Sequence, residues 1–202
     1  ETIMAHQPAR YLASGSLDAI AKFVEVHHNR GAFTPTRVPV DVYAAYHSAA
    51  TTYELLNLFT EQACADVAEG KLTEAVHTVV FCNIALTGII SSMTRGRGQA
   101  SLGHSFYNGL KTCFFDETHG YKHGELVGTG LLVQTAFDKN DELRSAVMSL
   151  LKKSNLPVTF AELGIADKEE GVRKLADYME NYDGIKDIPE GKKRLIAALE
   201  TL

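Results

Sequence analysis

Apolar residues recur every three or four positions along most of the chain, a period that predicts helices almost throughout. Over residues 17–27, LDAIAKFVEVH, Leu17, Ile20, Ala21 and Val24 fall at i, i+3, i+4 and i+7, and Ser16 stands where an N-cap is expected. Residues 1–16, with Pro8 and the Gly15-Ser16 pair, read as a connector into that helix. A loop follows over 28–39, carrying Pro35 and Pro39. Asp41 can cap a long helix over 42–68, with Tyr43, Tyr46, Ala50, Tyr53, Leu56 and Phe59 at helical spacing and Gly70 as its stop. Thr73 opens the next element. The stretch VVFCNIALTGII over 79–90 fits either a buried helix or a strand, and helical neighbours on both sides favour helix.

SSMTRGRGQ, residues 91–99, is a break with two glycines. Helices are expected over 100–113 and, after the loop THGYKHG, from about Glu125 with Leu126, Val127, Leu131, Leu132 and Thr135. Asp141 caps a helix to Lys153, residues 156–159 make a turn, and 159–162 form a short capped helical turn. Asp167 caps 168–180, and Pro189-Glu190 start a last helix ending at Leu199. No period-two alternation persists and no repeat occurs. The expected class is all-α: a multi-helix bundle over 17–202, forming one domain behind its connector.

Composition narrows the partners. With 45% hydrophobic residues the chain can fill a core without disulfides. A formal net charge of -5 disfavours nucleic acid and anionic membranes. The sequence shows no basic leader and no unbroken apolar run long enough to span a bilayer, so no membrane partner is expected. Cys64, Cys82 and Cys113 lie in apolar stretches without a CxxC pair and read as buried free thiols, which suits a reducing cytosol and a cytoplasmic location. A chain that starts at Glu1 rather than Met suggests a processed or excised piece.

The chemistry concentrates over residues 103–130, GHSFYNGLKTCFFDETHGYKHGELVGTG, which hold His104, His119 and His123. Of the other histidines, His27 and His28 end a helix, where the dipole favours partial positive charge, and His77 reads as structural. His104 and His123 each lie beside a glycine at a helix start, a place that can hold a metal. A shared metal would need a third donor, commonly a carboxylate from another helix. Asp18 is one candidate, and a first-turn carboxylate facing the helix dipole is its other reading. Composition leaves both open.

Three segments in order carry a family resemblance over about the first 135 residues. Ser14-Gly15-Ser16-Leu17-Asp18-Ala19 with Glu25 is similar to a motif SG-x-x-DA-x-x-x-x-x-E; Ala100 to Gly109 is similar to A-x-x-x-H-x-x-x-N-G; His123-Gly124-Glu125-Leu126-Val127-Gly128-Thr129-Gly130 is similar to H-G-E-x-V-x-x-G. Together they resemble the C-terminal helical domain of the iron- or zinc-dependent alcohol dehydrogenase family, in its glycerol dehydrogenase-like branch. The resemblance implies Asp18, His104 and His123 as metal ligands, with zinc the usual ion and iron the other. The iron-dependent branch has a second histidine four residues after the aspartate; Lys22 stands there, and a protonated lysine cannot ligate a cation. The dehydroquinate synthase relatives begin with a glutamate, which Asp18 does not match. His119 and Glu125 are expected to orient a ligand histidine. Arg95 or Arg97, just upstream of His104, is expected to contact an anionic substrate group or cofactor, with an exposed loop as the alternative.

The implied activity is hydride transfer from a small alcohol, polyol or hydroxy acid to NAD(P). The cofactor is held mainly by an N-terminal nucleotide-binding domain, and no strand–glycine–helix fingerprint for one occurs in this sequence. That domain is therefore an expected partner, and relatives assemble, so a homo-oligomer is expected too. Two alternatives stand beside it. One is a hydroxycarboxylate or glycerol-phosphate dehydrogenase of the same family. The other is an excised helical domain that binds metal without turnover.

Overall fold

The computed structural model describes residues 6–30, 38–94 and 101–202. Among them every regular element is helical, as the period of the sequence predicts. The chain forms two compact units, Glu1–Ala100 and Ser101–Leu202. The boundary falls just after the SSMTRGRGQ break.

In the first unit, α1 (Ala9–Arg30) packs on α2 (Val40–Ala68). The predicted stripe of α1 is its core face: Leu17, Ile20, Ala21 and Val24 are all buried. The helix starts eight residues earlier than Leu17, however, so residues 9–16 are not a connector. The Tyr11 N–H donates to the Pro8 carbonyl at 2.9 Å, closing the first turn behind a residue whose φ is preset. The Gly15-Ser16 pair serves packing rather than a break. A Cβ on Gly15 would lie 2.8 Å from Asn83 Nδ2, so glycine lets the neighbouring helix approach. Ser16 is fully buried and donates to the Leu12 carbonyl at 3.1 Å, so it caps nothing.

The buried stripe of α2 is shifted from the expected one. Val42, Ala45, Ala49, Thr52, Leu56, Thr60 and Ala63 face inward, while the large rings flank them. Small residues let the α1 and α2 backbones close together. Phe23 of α1 then packs beside them against Tyr46 and Tyr53, with ring centroids 5.7 and 4.9 Å away. Asp41 lies inside the first turn of α2, behind Pro39 at the N-cap position, and accepts from the Val42 N–H at 2.9 Å. At the other end Asp66 receives Thr73 Oγ1 at 2.5 Å and Gln62 Nε2 at 2.8 Å. These bonds hold its carboxyl below the ordinary carboxylate pKa, the Thr73 bond contributing most. Gly70, with φ +69°, turns the chain between them.

The ambiguous apolar stretch is helical. α3 (Glu74–Phe81) runs through a π-helical segment (Cys82–Leu86) into α4 (Thr87–Thr94). The Thr73 side chain caps α3 as expected, accepting from the Val76 N–H. The π segment faces Asn83 inward, where Nδ2 donates to the Leu12 carbonyl at 3.2 Å and to Ser16 Oγ at 3.4 Å. Thr60 Oγ1 also donates to Ser16 Oγ, at 3.1 Å, which joins three helices through one polar cluster. Read as one element, Glu74–Thr94 is long and apolar enough, by length and composition, to cross a membrane. The expectation of no unbroken apolar run of that length is corrected to this extent: the continuous helix reaches it with Thr78, Asn83 and Thr87 among its apolar residues. Phe81, Ile84 and Ile89 are exposed along it.

The second unit is built around α7 (His123–Phe137), whose residues from Gly124 to Thr135 are all buried. α5 (Leu102–Cys113), α8 (Asp141–Lys153) and α11 (Gly191–Leu199) pack on it. α6 (Phe115–Thr118) and α10 (Asp183–Lys186) are single turns, and α9 (Lys168–Met179) lies against α5 and α11. Asn140 rather than Asp141 caps α8, accepting from the Leu143 N–H at 3.1 Å. The expected capped turn near residue 160 is present: Glu162 Oε2 accepts from the Val158 and Thr159 N–H groups. Asp167 caps α9 as predicted. Two arginines grip the C-terminal half of α7. Arg194 donates to the Phe137 carbonyl at 2.7 Å and lies over the Phe137 ring, and Arg144 donates to the Leu132 carbonyl. Of the cysteines only Cys82 is buried; Cys64 and Cys113 are half-buried, because each helix turns an apolar neighbour rather than the thiol to its core. Burial still pushes the Cys64 thiol up to about 11.

Candidate metal centre

The second unit brings two of the predicted residues together. His104 is the third residue of α5 and His123 the first residue of α7. Their ring centroids stand 5.3 Å apart. Two imidazoles on one ion, with metal–nitrogen distances of about 2.0–2.1 Å and a near-tetrahedral angle, place their centroids about 5 Å apart. The pair therefore fits a shared cation. His104 is half-buried and His123 exposed.

Four local features set this spacing. α5 and α7 meet glycine to glycine: a Cβ on Gly130 would lie 2.6 Å from the Gly103 carbonyl oxygen and 2.9 Å from its Cα. Gly103 immediately precedes His104. Gln134 of α7 reaches back to the start of α5, where Oε1 accepts from the Leu102 N–H at 3.1 Å. Lys111 donates to the Thr118 carbonyl at 2.8 Å and thereby holds the segment that leads to His123. Glu125, fully buried, accepts from the Lys122 N–H at 2.9 Å through Oε2 and caps the helix that His123 begins. It thus supports His123 through the backbone of α7.

Tyr107, one turn beyond His104 on α5, sets its ring edge-on to His123 with centroids 4.4 Å apart and planes at 76°. The sequence reading does not single it out; its signal is the i, i+3 spacing from His104, which puts both on one helix face. His119 departs from expectation. It is exposed, its Nδ1 lies 2.7 Å from the Asp116 carbonyl, and its ring stacks on Phe115. It is tied to its own turn and touches no ligand histidine in these contacts.

Asp18 belongs to the first unit. It sits in the third turn of α1 and is half-buried. Because α1 begins at Ala9, Asp18 is not a first-turn carboxylate, and the dipole reading of it falls. Lys22 follows one turn later on the same helix, also half-buried. Arg95 and Arg97 lie outside the described residues.

No family model matches the chain. Over 178 residues, 87% of its length, the chain is 30% identical to a glycerol dehydrogenase of Thermotoga maritima, covering 47% of that protein. It is 34% identical over 169 residues, 82% of its length, to a glycerol dehydrogenase of Pseudomonas putida, covering 44% of it. The chain thus spans under half the length of these curated relatives. Its fold is also similar to the crystal structure of a probable glycerol dehydrogenase from Sinorhizobium meliloti, with a TM-score of 0.78 at 23% identity, over 97% of this chain and 55% of that one.

Proposed function

Because the chain is 30–34% identical to glycerol dehydrogenases over less than half of their length, we propose that it belongs to the iron-type alcohol dehydrogenase family and is the metal-holding catalytic part of a polyol dehydrogenase. The observation that carries this is the His104–His123 pair, whose 5.3 Å spacing suits one cation. Asp18 is the third ligand in this reading, a hard carboxylate that balances the charge neutral imidazoles leave. These three residues would hold a zinc or iron ion, which would supply Lewis-acid activation of a substrate hydroxyl. The chain's own residues hold and orient. Glu125 fixes the helix start under His123, and Gln134 fixes the start of α5 under His104. NAD(P) would supply the hydride acceptor, held mainly by a nucleotide-binding domain. The substrate is a small polyol such as glycerol, with a hydroxy acid or glycerol phosphate as the competing choice. The location is the cytoplasm.

The test is hydride transfer from glycerol to NAD+, by the chain alone and mixed with a separately expressed nucleotide-binding domain, with and without added zinc. Zinc-dependent turnover on mixing, abolished by His123→Ala, supports the proposal. Metal bound at the site without turnover in any mixture would leave a metal-binding domain and refute the enzyme. A strong preference for hydroxy acids over glycerol would move the substrate class.

A further inference from the structure

Tyr107 stands beside the candidate ligands with no role in the scheme above. His123 is the first residue of α7, so its N–H is one of the four that make no intrahelical bond, and its side chain is exposed. The ring torsion of an imidazole has a broad, shallow preference of its own, so neighbouring contacts decide its orientation. The edge-on contact of Tyr107, at 4.4 Å and 76°, supplies a flat wall in the favoured aromatic geometry. Tyr107 shares the α5 face of His104, so the same short helix carries one ligand and the brace for the other.

We propose that Tyr107 is a positioning residue: its ring, edge-on to His123, holds that imidazole beside His104 in the orientation that ligation requires. This rests on the reading of His104 and His123 as ligands. The ring makes the contact, so the hydroxyl is dispensable for it. Residues that orient metal ligands typically change affinity by about 10–100-fold when lost.

The test uses cobalt(II) as the probe, titrated into the metal-free chain and its Tyr107→Phe and Tyr107→Leu variants, with the d–d absorption bands recorded at saturation. Tyr107→Phe should keep both affinity and bands, whereas Tyr107→Leu should bind at least about tenfold more weakly with altered bands. A second readout needs no metal and no fully stable variant. The His123 ring protons of the metal-free chain should show the ring-current shift of a neighbouring aromatic, retained in Tyr107→Phe and lost in Tyr107→Leu. Wild-type affinity and bands in Tyr107→Leu overturn the proposal, as does a Tyr107→Phe variant as impaired as Tyr107→Leu. A His123→Ala variant separates the two levels. If it binds cobalt like the wild type, the ligand assignment itself fails; if it loses cobalt while Tyr107→Leu does not, only the brace fails.

Discussion

Replacing Gly130 with alanine tests how tightly the helix contact sets the histidine pair. The added Cβ would stand 2.6 Å from the Gly103 carbonyl oxygen and 2.9 Å from Gly103 Cα, both backbone atoms that cannot swing aside. Reaching ordinary contact, at about 3.4 Å or more, requires the start of α5 to retreat by roughly 0.8 Å. Gly103 is bonded to His104, so the retreat moves a ligand, while metal–ligand distances tolerate only about 0.2 Å. Overpacking of this kind costs about 1–3 kcal/mol, and alanine's better helix propensity returns up to about 1 kcal/mol. The expected net loss of stability is therefore modest. The expected loss of metal affinity is larger, on the order of tenfold to a hundredfold. The assay pairs thermal melting of the metal-free chain with calorimetric zinc titration. Gly88→Ala is the control: a Cβ there meets nothing within 4 Å, so it should leave metal binding unchanged and the fold as stable or slightly more so. A Gly130→Ala chain that binds zinc as tightly as the wild type would refute the argument that the Gly103–Gly130 contact sets the ligand spacing.

Further outcomes follow from the two units taken separately. Asp66→Asn should lower the melting temperature at pH 7, because the carboxylate accepts from both Thr73 and Gln62. A carboxyl whose folded pKa is depressed contributes stability that is present above its ordinary pKa and lost as pH falls through the depressed one. The gap between wild type and variant should thus stay constant down to about pH 4 and close below it, in melts recorded across that range. Arg194→Met removes the donor to the Phe137 carbonyl and the cation over the Phe137 ring, and should cost about 1–3 kcal/mol by denaturant unfolding.

What the sequence made legible was mostly what helical period and capping chemistry dictate. The stripe of Leu17, Ile20, Ala21 and Val24, the Thr73 and Asp167 caps and the Gly70 stop all express one-dimensional rules, and the structure follows them. The all-α class came from the same source. Readings that depend on a partner helix were not legible. Gly15 and Ser16 look like a break until Asn83 and Thr60 are seen against them. The tyrosines of α2 look like its core until the small residues one position away prove to face α1. The apolar run of α3 and α4 is ambiguous between helix and strand in the sequence, and nothing there shows that Asn83 turns inward where the π segment redirects it. At the candidate site the motif resemblance pairs His104 with His123, and their rings do lie side by side, with Gly103 next to His104 packed on Gly130 of α7. From the sequence His119 is expected to orient a neighbouring histidine, whereas its Nδ1 lies against the Asp116 carbonyl of its own turn, and Tyr107 is passed over because a tyrosine one turn from a histidine is an ordinary packing residue.

Asp18, His104 and His123 are proposed as joint ligands of one divalent cation. The direct measurement is zinc bound per chain after dialysis against a weak chelator, for the wild type and for Asp18→Asn, His104→Ala and His123→Ala, each checked by circular dichroism for helical content. About one zinc per wild-type chain is expected, with most of it lost in each variant while the helices are retained. Zinc content unchanged by Asp18→Asn or by either histidine substitution would contradict the ligand assignment.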